Sequence, residues 1–312
     1  MAKALIFALQ PESSFPITNS GILQFAACVA RALQARIIRA LNVKLREPFM
    51  RENKVKTLWQ QGKAVINGWL GIPSSIATEN MAQAGWDALT CDLQHGLIDY
   101  SHAVPMLQAI SISEATPLAR VPWNEPGIIM KMLDAGAYGI ICPMINSRAE
   151  CEALVGAVRY APDGYRSFGP TRALWYAGAD YAKESNRHVL AIAMIETKQA
   201  LNNLDDILST PGLDGIYIGP SDLGLSLGGI PKLDQTDPPI VDAIKTILNA
   251  AKKHGVHPGI HCGTTDYAKQ AIAWGFELVT IAADNALLNT AAKAAVADMR
   301  GSPLTPGSSG PY

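Results

Sequence analysis

Leu89-Thr90-Cys91-Asp92-Leu93-Gln94-His95-Gly96 ends an apolar run that begins at Trp86 and breaks at Gly96. A short apolar run bounded by turn residues reads as a buried strand, here Trp86 to Cys91, and the residues after it as a loop. Asp92 and His95 therefore stand where a strand leaves a core. A carboxylate three residues before a histidine at such a place can orient the ring and hold it ready to take or give a proton. The same spacing also suits an ordinary strand-end aspartate next to a surface histidine, so the rest of the chain has to decide.

Working outward, the same unit recurs. Apolar runs at Val65 to Leu70, Trp86 to Cys91, Thr116 to Val121, Tyr138 to Cys142, Val189 to Ile195, Gly215 to Ile218, His257 to His261 and Phe276 to Ile281 read as strands. Between and after them, Ser75 to Ala84, Ser101 to Ile112, Pro126 to Ala135, Arg148 to Tyr160, Ala200 to Leu208, Pro239 to His254, Asp266 to Trp274 and Ala286 to Met299 carry apolar residues at helical spacing. Gly85, Gly136, Gly255 and Gly275 follow helices where a left-handed cap is expected. Strands that alternate with helices imply a parallel sheet, and eight strands close a barrel of about 250 residues. The expected fold is therefore α/β, a single-domain (β/α)8 TIM barrel over residues 50 to 300. One connection, Ala161 to Arg187, is long and rich in Gly, Tyr, Arg and Pro. It reads as an irregular lid or binding loop, with Arg166, Phe168, Arg172 and Trp175 closing over an acidic substrate or meeting a neighbouring subunit.

Residues 1 to 49 read differently: Arg31, Arg36, Arg39, Lys44 and Arg46 sit in a helix-permissive stretch with very few acids. Such a lead suits a targeting peptide or a membrane-surface helix. It equally suits an appended start, the reading favoured here because Met50-Arg51-Glu52-Asn53 looks like a natural beginning. Residues 301 to 312 (GSPLTPGSSGPY) read as a disordered tail. A formal charge of -1 over 312 residues offers no basic face for nucleic acid. Five cysteines without C-x-x-C spacing argue against a disulfide framework and a zinc site. No apolar run of about 18 residues suggests a membrane span. A reducing, cytoplasmic setting is expected.

In a barrel of this kind, chemistry collects at the C-terminal ends of the strands. There the second strand delivers Asp92, Gln94 and His95, the third Arg120, the fifth Glu196, and the sixth Gly219-Pro220-Ser221-Asp222. Two carboxylates at neighbouring strand ends, with no cation beside them in the strand, call for a hard divalent ion, Mg²⁺ or Mn²⁺. In the alternative, Glu196 pairs with Arg120 and Asp222 merely caps a helix. Amides of the Gly219–Ser221 turn suit a carboxylate better than a phosphate, because the loops after the last two strands are not glycine-rich. Metal, anion cradle, arginine and histidine together suit a 2-oxo acid, whose developing enolate Arg120 would stabilise. Trp69 is placed to wall an aldehyde pocket or to fill the core, and His261 to line the mouth or to sit satisfied in the core.

Gly68-Trp69-Leu70, Asp92-x-x-His95, Ala119-Arg120-Val121 with Trp123-Asn124, Leu133-Asp134-Ala135-Gly136, Pro143-Met144, Ile195-Glu196-Thr197 and Gly219-Pro220-Ser221-Asp222-Leu223 occur in this order. From Met50 to Arg300 the chain thereby resembles the HpcH/HpaI family of metal-dependent (class II) pyruvate aldolases, close to the hydroxy-ketoacid and 4-hydroxy-2-oxoheptanedioate aldolases. The resemblance implies Glu196 and Asp222 as metal ligands, for Mg²⁺, Mn²⁺ or Co²⁺. It implies the Gly219 and Ser221 amides as the substrate-carboxylate site, with Gln94 nearby, and Arg120 on the oxo group. His95 with Asp92 becomes a dyad acting through water on the substrate hydroxyl. Asp134 becomes an acid that reaches a neighbouring subunit's site, so a homo-oligomer, typically a hexamer, is implied. Many relatives have glutamate where this chain has Gln94, and the pattern does not cover residues 1 to 49. The implied reaction is reversible cleavage of a 4-hydroxy-2-oxo acid to pyruvate or hydroxypyruvate and an aldehyde. Its rivals are a Schiff-base aldolase, for which Lys63, Lys131 and Lys198 are poorly placed, a CoA-thioester lyase, and a barrel that binds a 2-oxo acid without catalysis.

Overall fold

The computed structural model describes residues 50–301; the lead of residues 1–49 and the tail beyond Gly301 lie outside the described residues. Eight strands run β1 Val65–Leu70, β2 Ala88–Asp92, β3 Thr116–Arg120, β4 Gly139–Cys142, β5 Leu190–Met194, β6 Gly215–Ile218, β7 His257–Cys262 and β8 Leu278–Ala283. Each pairs in parallel with its sequence neighbour, and β8 closes on β1, so the described residues form the expected barrel. Their apolar character follows from position, because a parallel strand in a barrel is covered on one face by the interior and on the other by helices. Trp69, Leu118, Ile141, Ile192, Met194 and Tyr217 belong to one buried cluster, inside the barrel. Leu70, Leu89, Ala119, Ile140 and Ile260 belong to the larger cluster under the helices.

The helices end where the sequence says they should. Gly85, Gly136, Gly255 and Gly275 have φ of 91°, 105°, 70° and 111°, which only glycine adopts without cost. Three features were not anticipated. Ala200 to Leu208 is two short helices, Lys198–Asn202 and Leu204–Leu208, broken at Asn203, whose side chain donates to the Asn146 carbonyl. The final helix, Asp284–Arg300, buries only its first residue. A further helix, Lys54–Gln60, precedes β1 and places Val55 and Trp59 in the inner cluster. Its N-cap Asn53 donates to the carbonyls of Tyr138 and His188 at 3.1 and 2.8 Å. Those residues lie just before β4 and β5, so this helix closes the end of the barrel opposite the mouth.

The long connection differs most from its sequence reading. Residues 161–187 contain the helix Thr171–Ala177 and most of the helix Tyr181–His188. Because the connection leads from a helix back to a strand, it lies at the barrel's N-terminal end and is no lid over its own mouth. Its arginines are structural: Arg166, with a fully buried side chain, pairs with Asp134 at 2.7 Å and donates to the Tyr181 hydroxyl at 2.9 Å. Arg172 donates to the carbonyls of Ala135 and Leu107. Phe168 and Trp175 remain exposed.

Candidate active site

Asp92 and Arg120 are register partners at the ends of β2 and β3. Arg120 Nε and Nη2 donate to the two carboxylate oxygens at 2.8 and 2.6 Å, and both side chains are 3% exposed. Trp69 Nε1 donates to Asp92 at 3.1 Å, and the Arg120 guanidinium lies 4.8 Å from the Trp69 ring centroid. Burial alone would raise the Asp92 pKa, but hydrogen bonds and charge from Arg120, with help from Trp69 and the His95 amide, hold it below the usual carboxylate value. The N–H groups of Gln94 and His95 also donate to Asp92, at 3.0 and 3.2 Å. Asp92 thus fixes the loop that carries His95 through its backbone, and presents Arg120 rigidly to the mouth. The His95 ring is exposed there. Burial and the Arg120 charge push its pKa below the ordinary value, against the pull of Asp92 and Asp222, so at neutral pH it is a neutral base.

Glu196, just beyond β5, is 2% exposed. Its Oε1 accepts the Met144 N–H at 2.8 Å. Met144 has φ of 56°, a left-handed conformation uncommon outside glycine, which aims that amide at Glu196. On its other side, Oε2 faces Gly219: a Cβ built there would lie 2.3 Å from Oε2 and 3.2 Å from the Met194 methyl. The bare backbone is therefore what makes room for the carboxylate. Asp222 sits half-buried in the first turn of the helix Pro220–Ser226. Burial first, then the Asp222 charge, pushes Glu196 up to about 7. An acid so placed is short of a cation, and Asp92 has already engaged Arg120, so the pairing of Glu196 with Arg120 weighed as an alternative does not form a salt bridge here.

No group of three or more His, Cys, Asp or Glu gathers as a metal site among the described residues. Two carboxylates are nonetheless a fitting donor set for Mg²⁺ or Mn²⁺, which keep several waters and are often held by one or two carboxylates plus substrate. Two other buried oxygens nearby, Gln94 Oε1 and Ser221 Oγ, have no hydrogen-bond partner among the described residues. Gly219→Ala provides a test. Its φ of -93° suits alanine, so the effect should come from Glu196 being displaced: Mn²⁺ affinity measured by titration calorimetry should fall at least tenfold, with a stability loss of about 1–3 kcal/mol.

Trp69 is a core residue that also borders a cavity. It is 1% exposed and stacks on Tyr217 with ring centroids 5.8 Å apart, yet it also lines a cavity of about 150 Å³ with Asp92 and His95. His261 is a core residue: its Nδ1 lies 3.0 Å from the Tyr217 hydroxyl, which donates to Thr280, and burial pushes its pKa to about 3. Asp134, by contrast, ends the helix Pro126–Asp134 that returns to the start of β4, far from its own mouth, and is paired with Arg166. Sequence reading overlooked Asp284, a buried carboxylate directly after β8 that accepts the N–H groups of Gly71 and Ile72 at 2.8 and 3.2 Å. The strand-end rule that found Glu196 applies to it equally.

Residues 67–291 match the sequence profile of the HpcH/HpaI aldolase/citrate lyase family. The chain belongs to the HpcH/HpaI family. It is 44% identical over 248 residues to a hydroxypyruvate/pyruvate aldolase of Rhizorhabdus wittichii, covering 80% of this chain and 99% of that one. With a 5-keto-4-deoxy-D-glucarate aldolase of Shigella dysenteriae it shares 34% over 241 residues, covering 77% and 93%. The crystal structure of an HpcH/HpaI aldolase/citrate lyase family protein from Burkholderia cenocepacia superposes with a TM-score of 0.75 at 31% identity, covering 80% and 99%. This HpcH/HpaI member is a carbon–carbon lyase of the aldolase kind. Lys63, Lys131 and Lys198 are all exposed and so lack the desolvation that a Schiff-base lysine needs. No helix among the described residues is long and apolar enough to cross a membrane.

Proposed function

We propose that the chain catalyses metal-dependent, reversible aldol cleavage of a 4-hydroxy-2-oxo acid to pyruvate, or hydroxypyruvate, and an aldehyde. The observation that carries this reading is the buried Glu196 carboxylate, opposed by Asp222 and backed by the Met144 amide, at the same mouth as Arg120 and His95. Glu196 and Asp222 would hold a divalent ion, Mg²⁺, Mn²⁺ or Co²⁺, which when bound supplies Lewis-acid polarisation of the 2-oxo group. The remaining work falls to the chain. The Gly219 and Ser221 amides receive the substrate carboxylate. His95, neutral and exposed to water, takes the C4-hydroxyl proton through a water molecule; the C3–C4 bond breaks, the hydroxyl oxygen becomes the aldehyde carbonyl, and the bonding pair passes into the enolate. Arg120, pre-oriented by Asp92, stabilises the negative charge on the enolate oxygen without reorganising. Protonation at C3 completes pyruvate.

The working form is a cytoplasmic homo-oligomer in this reading, a hexamer by the family resemblance. Asp134 lies at the far end of its own barrel, and a neighbouring copy would give it a mouth to serve. The reaction is tested by Asp222→Ala, which should abolish metal-dependent pyruvate release from a 4-hydroxy-2-oxo acid. Undiminished release by that variant in the presence of a chelator would refute the scheme.

A further inference from the structure

The cavity beside His95 holds about 150 Å³, room for several waters. Trp69, Asp92 and His95 form one part of its wall; Ile72 and Leu97 line it from the loops after β1 and β2, and Asn285 from the first turn of the helix after β8. Among the described residues that line it there is neither lysine nor arginine, Arg120 lying behind Asp92 and Trp69. Three of the backbone donors around it are also committed. The Gly71 and Ile72 N–H groups donate to Asp284, and so does the Asn285 N–H at 2.8 Å. Asp284 is 5% exposed, so its charge sits behind this wall with little water to screen it. A carboxylate entering here would meet committed amides, apolar Ile72 and Leu97, and the Asp284 carboxylate behind them, while the Arg120 cation nearby is already taken up by Asp92. A polar but uncharged end would meet the Asn285 amide, the His95 ring and open water.

We infer that the aldehyde handled at this site is uncharged, a short alkyl or hydroxyalkyl aldehyde and not a semialdehyde with a terminal carboxylate. The inference rests on the aldolase reading above and adds the acceptor class to it. In the synthetic direction, C3 of pyruvate loses a proton and bonds to the aldehyde carbon, and the aldehyde oxygen gains a proton. Nothing is oxidised or reduced. Neutral and acidic aldehydes undergo the same step, so a difference between them reports the wall and not the chemistry.

The test uses the full chain with pyruvate and Mg²⁺. Butanal is compared with succinic semialdehyde, which has the same four-carbon chain but a carboxylate in place of the terminal methyl. Exchange of the pyruvate C3 protons in D2O, followed by NMR without any aldehyde, reports the pyruvate half of the site by itself. Exchange should proceed, kcat/KM should favour butanal at least tenfold, and Asn285→Arg should narrow that ratio about tenfold by placing a cation in the wall. If exchange proceeds but succinic semialdehyde reacts as fast as butanal, or if Asn285→Arg leaves the ratio where it was, the acceptor assignment is wrong while the aldolase reading stands. Absence of exchange would overturn both.

Discussion

Arg120→Lys should lower kcat for pyruvate release at least a hundredfold with little change in KM, and should destabilise the fold by about 3 kcal/mol. The guanidinium meets Asp92 through two parallel N–H donors at 2.8 and 2.6 Å in a site where both side chains are 3% exposed. A lysine ammonium is a point charge on a flexible stem and cannot span both oxygens. One Asp92 oxygen would keep only the Trp69 or backbone donors, and breaking a buried pair of this kind costs about 3–5 kcal/mol. The stacking of the guanidinium near the Trp69 ring is lost as well. Catalysis suffers separately, because removing a preorganised donor from a developing oxyanion costs about 10²–10³ in rate. A group used mainly in the transition state shows itself in kcat. Urea unfolding and steady-state release measured on the same preparation divide the two effects. A variant that unfolds more easily yet turns over at the wild-type rate would confine Arg120 to a structural role.

The barrel was legible because most strands are short, largely apolar runs stopped by turn residues, as Val189 to Ile195 is around the observed Leu190–Met194. Glu196, Arg120 and Asp222 were legible for a related reason: once strands are assigned, topology alone sends their C-terminal ends to one mouth. The partner of Asp92 was not. Its spacing from His95 pointed to the imidazole, whereas the side chain meets Arg120 because β2 and β3 pair with Asp92 opposite Arg120. Register between strands arises from packing of the whole sheet and leaves no mark in a local pattern.

The backbone conformation of Met144 was invisible for another reason. A left-handed backbone at a glycine can be anticipated, but at methionine nothing in the residue type signals it, and its amide is nevertheless what anchors Glu196. The connection of residues 161–187 was misread through composition. Its glycines and aromatics suggested an irregular lid or binding loop, yet Arg166 and Tyr181 are buried, and a segment that follows a helix must lie at the end of the barrel away from its own mouth, where only the contact with a neighbouring subunit stays open to it. That second point needed only the element order already in hand.

Glu196→Gln should make the metal-free protein more stable at pH 8, by up to about 3 kcal/mol, while abolishing the thermal stabilisation that Mg²⁺ gives the wild type. The Glu196 carboxyl is held at about 7 in the folded chain instead of the ordinary 4.5, by burial and then by the Asp222 charge. Below pH 4.5 the group is protonated whether the chain is folded or not, and it carries no penalty. Between 4.5 and 7 the unfolded chain releases the proton and the folded one retains it, so stability of the metal-free protein declines as pH rises. Above 7 the carboxylate is ionised in place, at a cost of about 3 kcal/mol. Glutamine keeps the oxygen that accepts the Met144 N–H and never ionises, so the advantage of the variant should vanish toward pH 4.5 and be complete by pH 8. Metal binding has the opposite pH dependence, because below pH 7 the ion must displace a proton, weakening its affinity up to about tenfold per pH unit. Melting curves of both proteins at pH 5 and pH 8, with and without Mg²⁺, read all of these effects. A variant less stable than the wild type at pH 8, or one still stabilised by Mg²⁺ to the same extent, would show that Glu196 is not a carboxylate waiting for a cation.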